Sequence, residues 1–459
     1  MAGVPEFQRL YDEVASCGKC GFCLPTCPIY RATFHEGHVA RGKNALMRNL
    51  IEGETVMTPD LQDAFSNCLL CRACTANCFP AVKTDRLVIG FREAYGRRFG
   101  RSLAQRAVIR GLLPRPGLMR PLVRATWSLR RTRLVGASRR LGLVGVLNAK
   151  LERALDMRDE APGALLRDRL RDRSAGLSPV RRGGRVAAPA PTVTAPEAAR
   201  AGLSAAARAA GGLRVGYWMS CGYNYVLPEV GEATVRVLEH LGTQVEVLDN
   251  CCCGLAAYGY GDLDGARGLA RANLELLGDL SRFDVVVSEC GSCSGHLKEY
   301  PELLDGDPEF SRRAARLVEK VRSFSEFVVK VGGADQLRNG AGLAATVTYH
   351  DPCHLGTRYQ GVVAQPRELL QAVPGVTFRE LTEADSCCGA AGTYGLLHPA
   401  TSASIIDRKM GYVKQTGAAI LATECPSCML QLALGVRRAG LDVTVLNVSQ
   451  VCDLALGGG

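Results

Sequence analysis

No run of about 18 apolar residues occurs in the 459-residue chain, so no membrane-spanning helix is expected. The first residues, MAGVPEFQRLYDEVASCGKC, hold no basic segment leading into an apolar one, so no secretory signal is expected. The predicted compartment is the reducing cytosol, with at most a peripheral place at the inner face of a membrane. Phosphate loops of the form G-x-x-x-x-G-K-[ST] and dinucleotide fingerprints of the form G-x-G-x-x-G are missing, and GYGDLDGARG has the wrong spacing. No Ser/His/Asp or metal-hydrolase signature stands out. The chain is therefore not expected to carry its own flavin or nicotinamide. Acidic residues are missing between Arg97 and Lys150, where 14 Arg/Lys stand together. No nucleic-acid recognition motif accompanies that charge, so nucleic acid is not an expected partner.

What the chain does have is cysteine, 20 of them, most in tight spacings. In a chain with no export signal, such spacings point to metal sites rather than disulfides. CGKCGFCLPTCP is a C-x2-C-x2-C-x3-C-P run at Cys17, Cys20, Cys23 and Cys27. CLLCRACTANCFP repeats it at Cys68, Cys71, Cys74 and Cys78, with the proline one place late at Pro80. In the bacterial ferredoxin pattern three thiolates hold one cubane and the fourth cysteine crosses to the other. One [4Fe–4S] cluster is thus expected on Cys17, Cys20, Cys23 and Cys78, and a second on Cys68, Cys71, Cys74 and Cys27. Zinc is the alternative, but zinc favours two CxxC pairs over triplets with a fourth cysteine.

The second half repeats itself. Cys252, Cys253, Cys290 and Cys293 recur 135 residues later as Cys387, Cys388, Cys425 and Cys428, and Cys221 recurs 132 residues later as Cys353. Cys251, the first cysteine of NCCCGL, has Ser386 as its counterpart, and Cys452 also stands outside the repeat. Both read as small buried hydrophobes, with a ligand role for Cys251 as the alternative. Short β-branched runs (LRVGYW, TQVEVLD, FDVVVSE, AATVTYHD, VTFREL, AAILATE, VTVLNV) alternate with helical patterns. Such alternation predicts α/β units with mainly parallel sheets. Each cysteine element follows a strand, where loops at the carboxyl ends of parallel strands converge on one crevice. Gly254 and Gly389 are expected to let the adjacent cysteines turn toward one object. His350 and His354 flank Cys353, and Tyr394 follows the second CCG. Each reads either as a group near a cluster or as ordinary packing.

The fold class is therefore an α/β C-terminal half of two repeated domains behind an all-α domain. The expected division is 1–100 ferredoxin-type, 101–175 a basic helical connector, 176–212 an Ala/Pro-rich linker, and 213–335 and 336–459 the two repeats. The first domain resembles the helical ferredoxin domain of succinate dehydrogenase and related iron–sulfur subunits. The two CCG repeats resemble the cysteine-rich domains of heterodisulfide reductase, glycolate oxidase, anaerobic glycerol-3-phosphate dehydrogenase and lactate-utilisation subunits. SCCGAAGTYGLLHP, LPEVGEATVRVLEHLG and LKEY resemble most the glycolate oxidase iron–sulfur subunits, while YHDPCHLG is shared with heterodisulfide reductase. Both CxxC pairs, ECGSC and ECPSC, are complete, as in heterodisulfide reductase.

The resemblance implies one or two further iron–sulfur clusters. Cys221, Cys252, Cys253, Cys290 and Cys293 would hold one, and Cys353, Cys387, Cys388, Cys425 and Cys428 the other. It also implies an electron-transfer subunit of a flavin-linked 2-hydroxyacid (glycolate- or lactate-type) dehydrogenase, inactive alone. An FAD-containing oxidase or dehydrogenase partner would supply electrons that leave for a quinone or another carrier. The rival implication is a heterodisulfide-reductase-like subunit that reduces a disulfide at a non-cubane cluster. For residues 97–150 three readings stand: docking of an acidic partner, contact with an anionic membrane surface, or a solvated helical hairpin. The first two predict attachment that weakens with salt.

Overall fold

The computed structural model describes residues 5–132, 156, 161–175 and 212–458. The expected linker falls, but for Gly212, outside the described residues, as do 133–155 and 157–160 of the connector. Residues 5–99 are helical, with α1 (Pro28–Thr33), α2 (Ala40–Glu52), α3 (Pro59–Ser66) and α4 (Thr84–Phe99) as the main elements. Apolar residues at helical spacing (Met47, Leu50, Ile51; Leu87, Val88, Phe91) close a small core, in which Phe65 stacks on Phe91 at 4.0 Å. Thr58 caps α3 by accepting from Leu61 N, with Pro59 in the first turn. The cysteine loops border this core rather than entering it.

The connector turns through α5 (Pro116–Arg130). α5 is inverted relative to an ordinary surface helix. Trp127 donates to Tyr225 O at 2.9 Å, and Arg120 and Arg124 pair with Asp249 and Asp168. Leu118, Leu122 and Leu129, close together on the opposite side by helical spacing, are exposed. Just before α5, Arg110 grips Asp262 at 2.6 and 3.0 Å. The expectation of unopposed charge is corrected here: several of these arginines are matched by carboxylates outside the segment. Attachment through α5 is thus expected to be apolar. Changing Leu118, Leu122 and Leu129 to serine should weaken co-sedimentation with a partner or with anionic vesicles more than added salt does. Unfolding should shift by no more than about 0.5 kcal/mol per site, as usual for exposed positions.

Each repeat folds into a four-stranded parallel sheet. The first comprises β1 (Arg214–Tyr217), β2 (Gln244–Val247), β3 (Val285–Ser288) and β4 (Val321–Ser323), in the order β2-β1-β3-β4. The second comprises β5 (Ala345–Tyr349), β6 (Val376–Phe378), β7 (Ile420–Thr423) and β8 (Thr444–Asn447), in the order β6-β5-β7-β8. Seven of these strands match the runs read from the sequence. β4 was missed because it is three residues long and follows the helix Pro308–Lys320 with no loop between. β3 and β7 are buried along their whole length, as central strands covered on both faces must be. The helices needed below are α6 (Pro228–His240), α7 (Leu263–Leu277), α8 (Gly291–Lys298), α9 (Pro399–Thr416) and α10 (Pro426–Ala439).

The repeats share one core, in which Tyr217, Val237 and Leu238 of the first pack with Tyr349, Leu369, Val448 and Val451 of the second. Arg236 on α6 locks this face by pairing with Asp453 of the other repeat. Among the described residues no helix is long and apolar enough to cross a membrane.

Candidate metal centres

In the first half the two cysteine runs share one backbone shape. Lys19 and Gly21 have positive φ (53° and 88°), and so do Leu70 and Arg72 at the matching places of the second run (53° and 57°). Left-handed residues at these points curl each C-x2-C-x2-C so that its thiols can face inward. The fourth cysteines differ. Cys27 caps α1, its sulfur accepting from Tyr30 N at 3.5 Å, and Pro28 starts the helix at once. After Cys78 the chain instead turns through Phe79, Pro80 and a left-handed Ala81, and α4 begins only at Thr84. The displaced proline thus changes the local turn.

One cavity is lined by Cys27, Cys68, Cys71 and Cys74 together with Lys43. Burial pushes the Lys43 ammonium down, while the thiols of Cys68, Cys27 and Cys74 hold it up. Cys17, Cys23 and Cys78 are half-buried, and Cys20 is exposed. Beside them stand Phe22, 57% exposed, and Phe79, 92% exposed.

In the second half the cysteines follow strands as expected: Cys221 after β1, the first CCG after β2, the first CxxC after β3, and likewise after β5, β6 and β7. These are the carboxyl ends around the switch between β1 and β3, and between β5 and β7. Gly254 and Gly389 have φ of 98° and 86°, so both CCG turns use the left-handed glycine that the sequence implied. Thiols within the first set join in sequence: Cys221 to Cys252, Cys252 to Cys253, Cys253 to Cys293, Cys293 to Cys290. The second set runs Cys353 to Cys387, Cys387 to Cys388, Cys388 to Cys428 at 3.6 Å, Cys428 to Cys425.

No local sequence pattern signals that the two sets meet. Cys290 and Cys425 are neighbours that act on each other's thiol, Ser292 Oγ lies 3.3 Å from Cys425 Sγ, and Gly291 N donates to Glu424 O at 2.8 Å. The ten thiols therefore form one continuous chain. Hydrogen bonds from Cys252 and Cys293 draw the Cys253 thiol down, and those from Cys387 and Cys428 do the same for Cys388. Thiolates are the form that binds metal.

At one end of the chain lies Cys71. Burial pushes its thiol far up, and the neighbouring Cys387 and Cys353 add to the rise. At the other end Cys221 and Cys252 line a small cavity closed by Leu113, Pro116 and Met119 of the connector. Tyr394 packs with Cys71 and Cys387 and donates to Asn67 Oδ1 at 2.9 Å. It thus stands between the two halves. Cys251 and Cys452 are buried, the latter in the shared core.

The donor chemistry fits iron–sulfur clusters. His350 is wholly buried, and its ligand atom and those of Cys388 and Cys428 lie within 4.8 Å of one another. Lys409 Nζ reaches His350 Nδ1 at 3.3 Å, which places the ring proton on Nε2, and that buried N–H has no partner. Trp218, at the matching place of the first repeat, also keeps a buried Nε1–H without a partner. Two orphaned donors beside two thiol sets suit the acceptor sulfides of bound clusters. His354 is half-buried, with its ring against Tyr359 at 4.4 Å.

Residues that sequence reasoning missed include Glu289 and Glu424, each just before a CxxC and each accepting from a tyrosine, Tyr217 at 2.9 Å and Tyr349 at 3.3 Å. Burial pushes their carboxyls up to about 8 and about 7. Lys43 and Lys409 were missed too. The signal was present: each lysine sits at helical spacing among buried apolar residues, Lys409 between Ile405 and Val413.

Comparison with known proteins agrees with this arrangement. The family model for the 4Fe-4S dicluster domain matches residues 13–81, and that for the CCG cysteine-rich domain matches 215–298 and 347–433. A probable glycolate oxidase iron-sulfur subunit of Bacillus subtilis is 30% identical over 460 residues, covering 98% of this chain and 96% of its own. The chain belongs to the glycolate oxidase iron–sulfur subunit family. Lactate utilization protein A of Oceanobacillus iheyensis is 33% identical over 248 residues, 54% of this chain and 99% of its own. The same-named protein of Geobacillus kaustophilus is 33% identical over 242 residues, 52% and 99% respectively. Among solved structures, a hypothetical protein from Helicobacter pylori gives a TM-score of 0.39 at 11% identity, over 53% of this chain and 49% of that one. Such a likeness carries no argument.

Proposed function

We propose that this chain is the electron-transfer subunit of a flavin-linked 2-hydroxyacid dehydrogenase of the glycolate or lactate type. A partner flavoprotein oxidises the acid, and the electrons leave for a quinone or another carrier. In this reading Cys17, Cys20, Cys23 and Cys78 hold one cubane, and Cys27, Cys68, Cys71 and Cys74 the other. The repeats, 213–335 and 336–459, use their five-cysteine sets. Bound clusters supply one-electron storage. The observation that carries the proposal is the thiol chain from Cys71 to Cys221, bordered by the four-thiol cavity. The role of the protein is to bury these thiols, orient them and exclude water between them. The partner is assigned to the exposed face beside Cys20, where Phe22 and Phe79 offer apolar contact next to Cys23 and Cys78.

The test mixes the anaerobically prepared chain with its flavoprotein and adds glycolate or lactate. The chain alone should oxidise neither acid, while the mixture should bleach the iron–sulfur absorbance. Changing Phe22 and Phe79 to aspartate should slow that bleaching at least tenfold with iron content unchanged. Bleaching at the wild-type rate would move the docking face elsewhere.

A second reading, disulfide reduction, is favoured by the contact between Cys290 and Cys425, which brings two complete sets together. Cys428→Ser separates the readings. If disulfides are the substrate, thiol–disulfide activity vanishes while the cubanes stay reducible. In the preferred reading electron exit slows, and there is no disulfide activity to lose.

A further inference from the structure

The internal repeat allows each thiol set to be compared with its twin. Gly254 and Gly389 fix the correspondence of the helices behind them. A Cβ on Gly254 would lie 3.4 Å from Ala266 O and 3.5 Å from Leu269 Cβ; one on Gly389 would lie 3.3 Å from Ser402 O and 3.2 Å from Ile405 Cβ. Ala266 therefore matches Ser402, and Leu269 matches Ile405. At the same offset of 136, Asn273 on α7 matches Lys409 on α9.

Both side chains are buried and both reach back to the loop before the cysteine pair. Asn273 accepts from Cys251 N at 2.9 Å and donates to Cys252 O at 2.9 Å. Lys409 donates to Glu383 O at 2.8 Å and Ala384 O at 3.4 Å, besides its contact with His350. The shapes of the two anchors are alike, but their charges differ. The first set has a neutral amide behind it and the second an ammonium.

Among the described residues no carboxylate pairs with that ammonium. Glu383 turns its carboxylate to Arg31 at 2.8 and 2.9 Å and to Arg408 at 3.3 Å. Asp385 pairs with Arg358, and Asp351 with Arg367. Burial draws the Lys409 ammonium down to about 8, and the groups that most hold it up are Cys388, Cys387 and Cys428, ahead of Asp385. A buried cation needs an anion nearby, and here the thiol set takes that place.

We propose that Lys409 biases one-electron reduction toward the Cys353, Cys387, Cys388, Cys425 and Cys428 site over its twin. It is a positioning residue, acting by charge through the low-dielectric interior. Each electron added there brings one more negative charge beside the ammonium, which favours the reduced state. Asn273 gives the twin site no such preference. The site next to Cys71 is thus the one that fills first. This inference rests on the reading that both sets hold clusters.

The experiment is an EPR-monitored redox titration of the anaerobically reconstituted full chain, with iron counted for each variant. Cys428→Ser identifies the signal of the second set by its loss. Lys409→Gln should keep iron and shift that site's one-electron reduction equilibrium at least tenfold toward the oxidised form, about 59 mV for one electron. The twin's signal should stay in place, and Lys409→Arg should keep the wild-type value. Full iron with an unchanged potential in Lys409→Gln overturns the proposal. If Lys409→Gln loses iron, Lys409→Arg decides: iron and potential kept support the charge, whereas iron lost assigns Lys409 to shape and overturns it. Absence of iron from the repeats of the unmodified chain is a different failure, that of the underlying reading.

Discussion

Cys71→Ser is expected to remove about four irons per chain and one cubane EPR signal. It should also stop electrons from a reduced flavoprotein from reaching the repeats. The argument is positional. Cys71 lines the cavity with Cys27, Cys68 and Cys74, and its thiol also feels Cys353 and Cys387. It is therefore placed where the two halves of the route adjoin. Flavin reduction by substrate should continue, because the proposed function puts oxidation of the acid on the partner. The signals assigned to the repeats should still appear with a chemical reductant. Cys251→Ser is the matched control: its thiol is buried beside Cys252 but outside the repeated set, so iron and electron transfer should persist. A zinc-loaded, iron-free wild-type chain after anaerobic preparation would overturn the whole assignment.

Arg72→Ala should cost about 3 kcal/mol of stability, the usual scale when one partner of a largely buried ion pair is removed. Arg72 lies inside the second cysteine run yet binds all three domains. It holds Asp85 at 2.7 Å, reaches Glu299 of the first repeat at 2.6 Å, and stacks 3.6 Å over the ring of Tyr359 in the second. Burial alone would push the Glu299 carboxyl up, but His296 and Arg72 hold it down at about 2. A carboxyl lowered in the folded state stabilises fully above its ordinary value and loses that contribution as the pH falls through the folded one. The junction should therefore hold at neutral pH and fade from about 4.5 towards about 2. Denaturant unfolding of wild type and Arg72→Ala across that range should show the two curves converging at the acid end. Curves that remain parallel would remove Glu299 from the account.

Much of this site was legible because cysteine spacing is a strong local signal. The two C-x2-C-x2-C-x3-C runs, the repeat offset and the glycine after each CCG can be read without knowing any contact. Seven of eight strands were legible for a similar reason: β-branched runs flanked by turns stand out, and β4, three residues fused to a helix, does not. The meeting of Cys290 with Cys425 was not legible. It depends on how two sheets pack through Tyr217, Tyr349 and their shared core, and no local pattern encodes that packing. The partners of the basic segment were hidden likewise. Asp249 and Asp262 lie more than 100 residues away from the arginines they meet. Lys409 was visible as a cation on an apolar stripe, but its meaning needed the comparison with Asn273.

The left-handed turns of the two cysteine runs bear on how the protein survives in a cell. Lys19, Leu70 and Arg72 are not glycine, and each such backbone position costs on the order of 1–3 kcal/mol. Something must offset that cost, and in this reading it is the metal drawn in by the surrounding thiolates. Folding of the ferredoxin-type domain is then linked to iron supply. Under iron starvation this end of the chain should be the first to open to proteases, while the sheets of the second half, closed around their own apolar core, should outlast it. Nutrient state would thus set the lifetime of the subunit with no dedicated regulator.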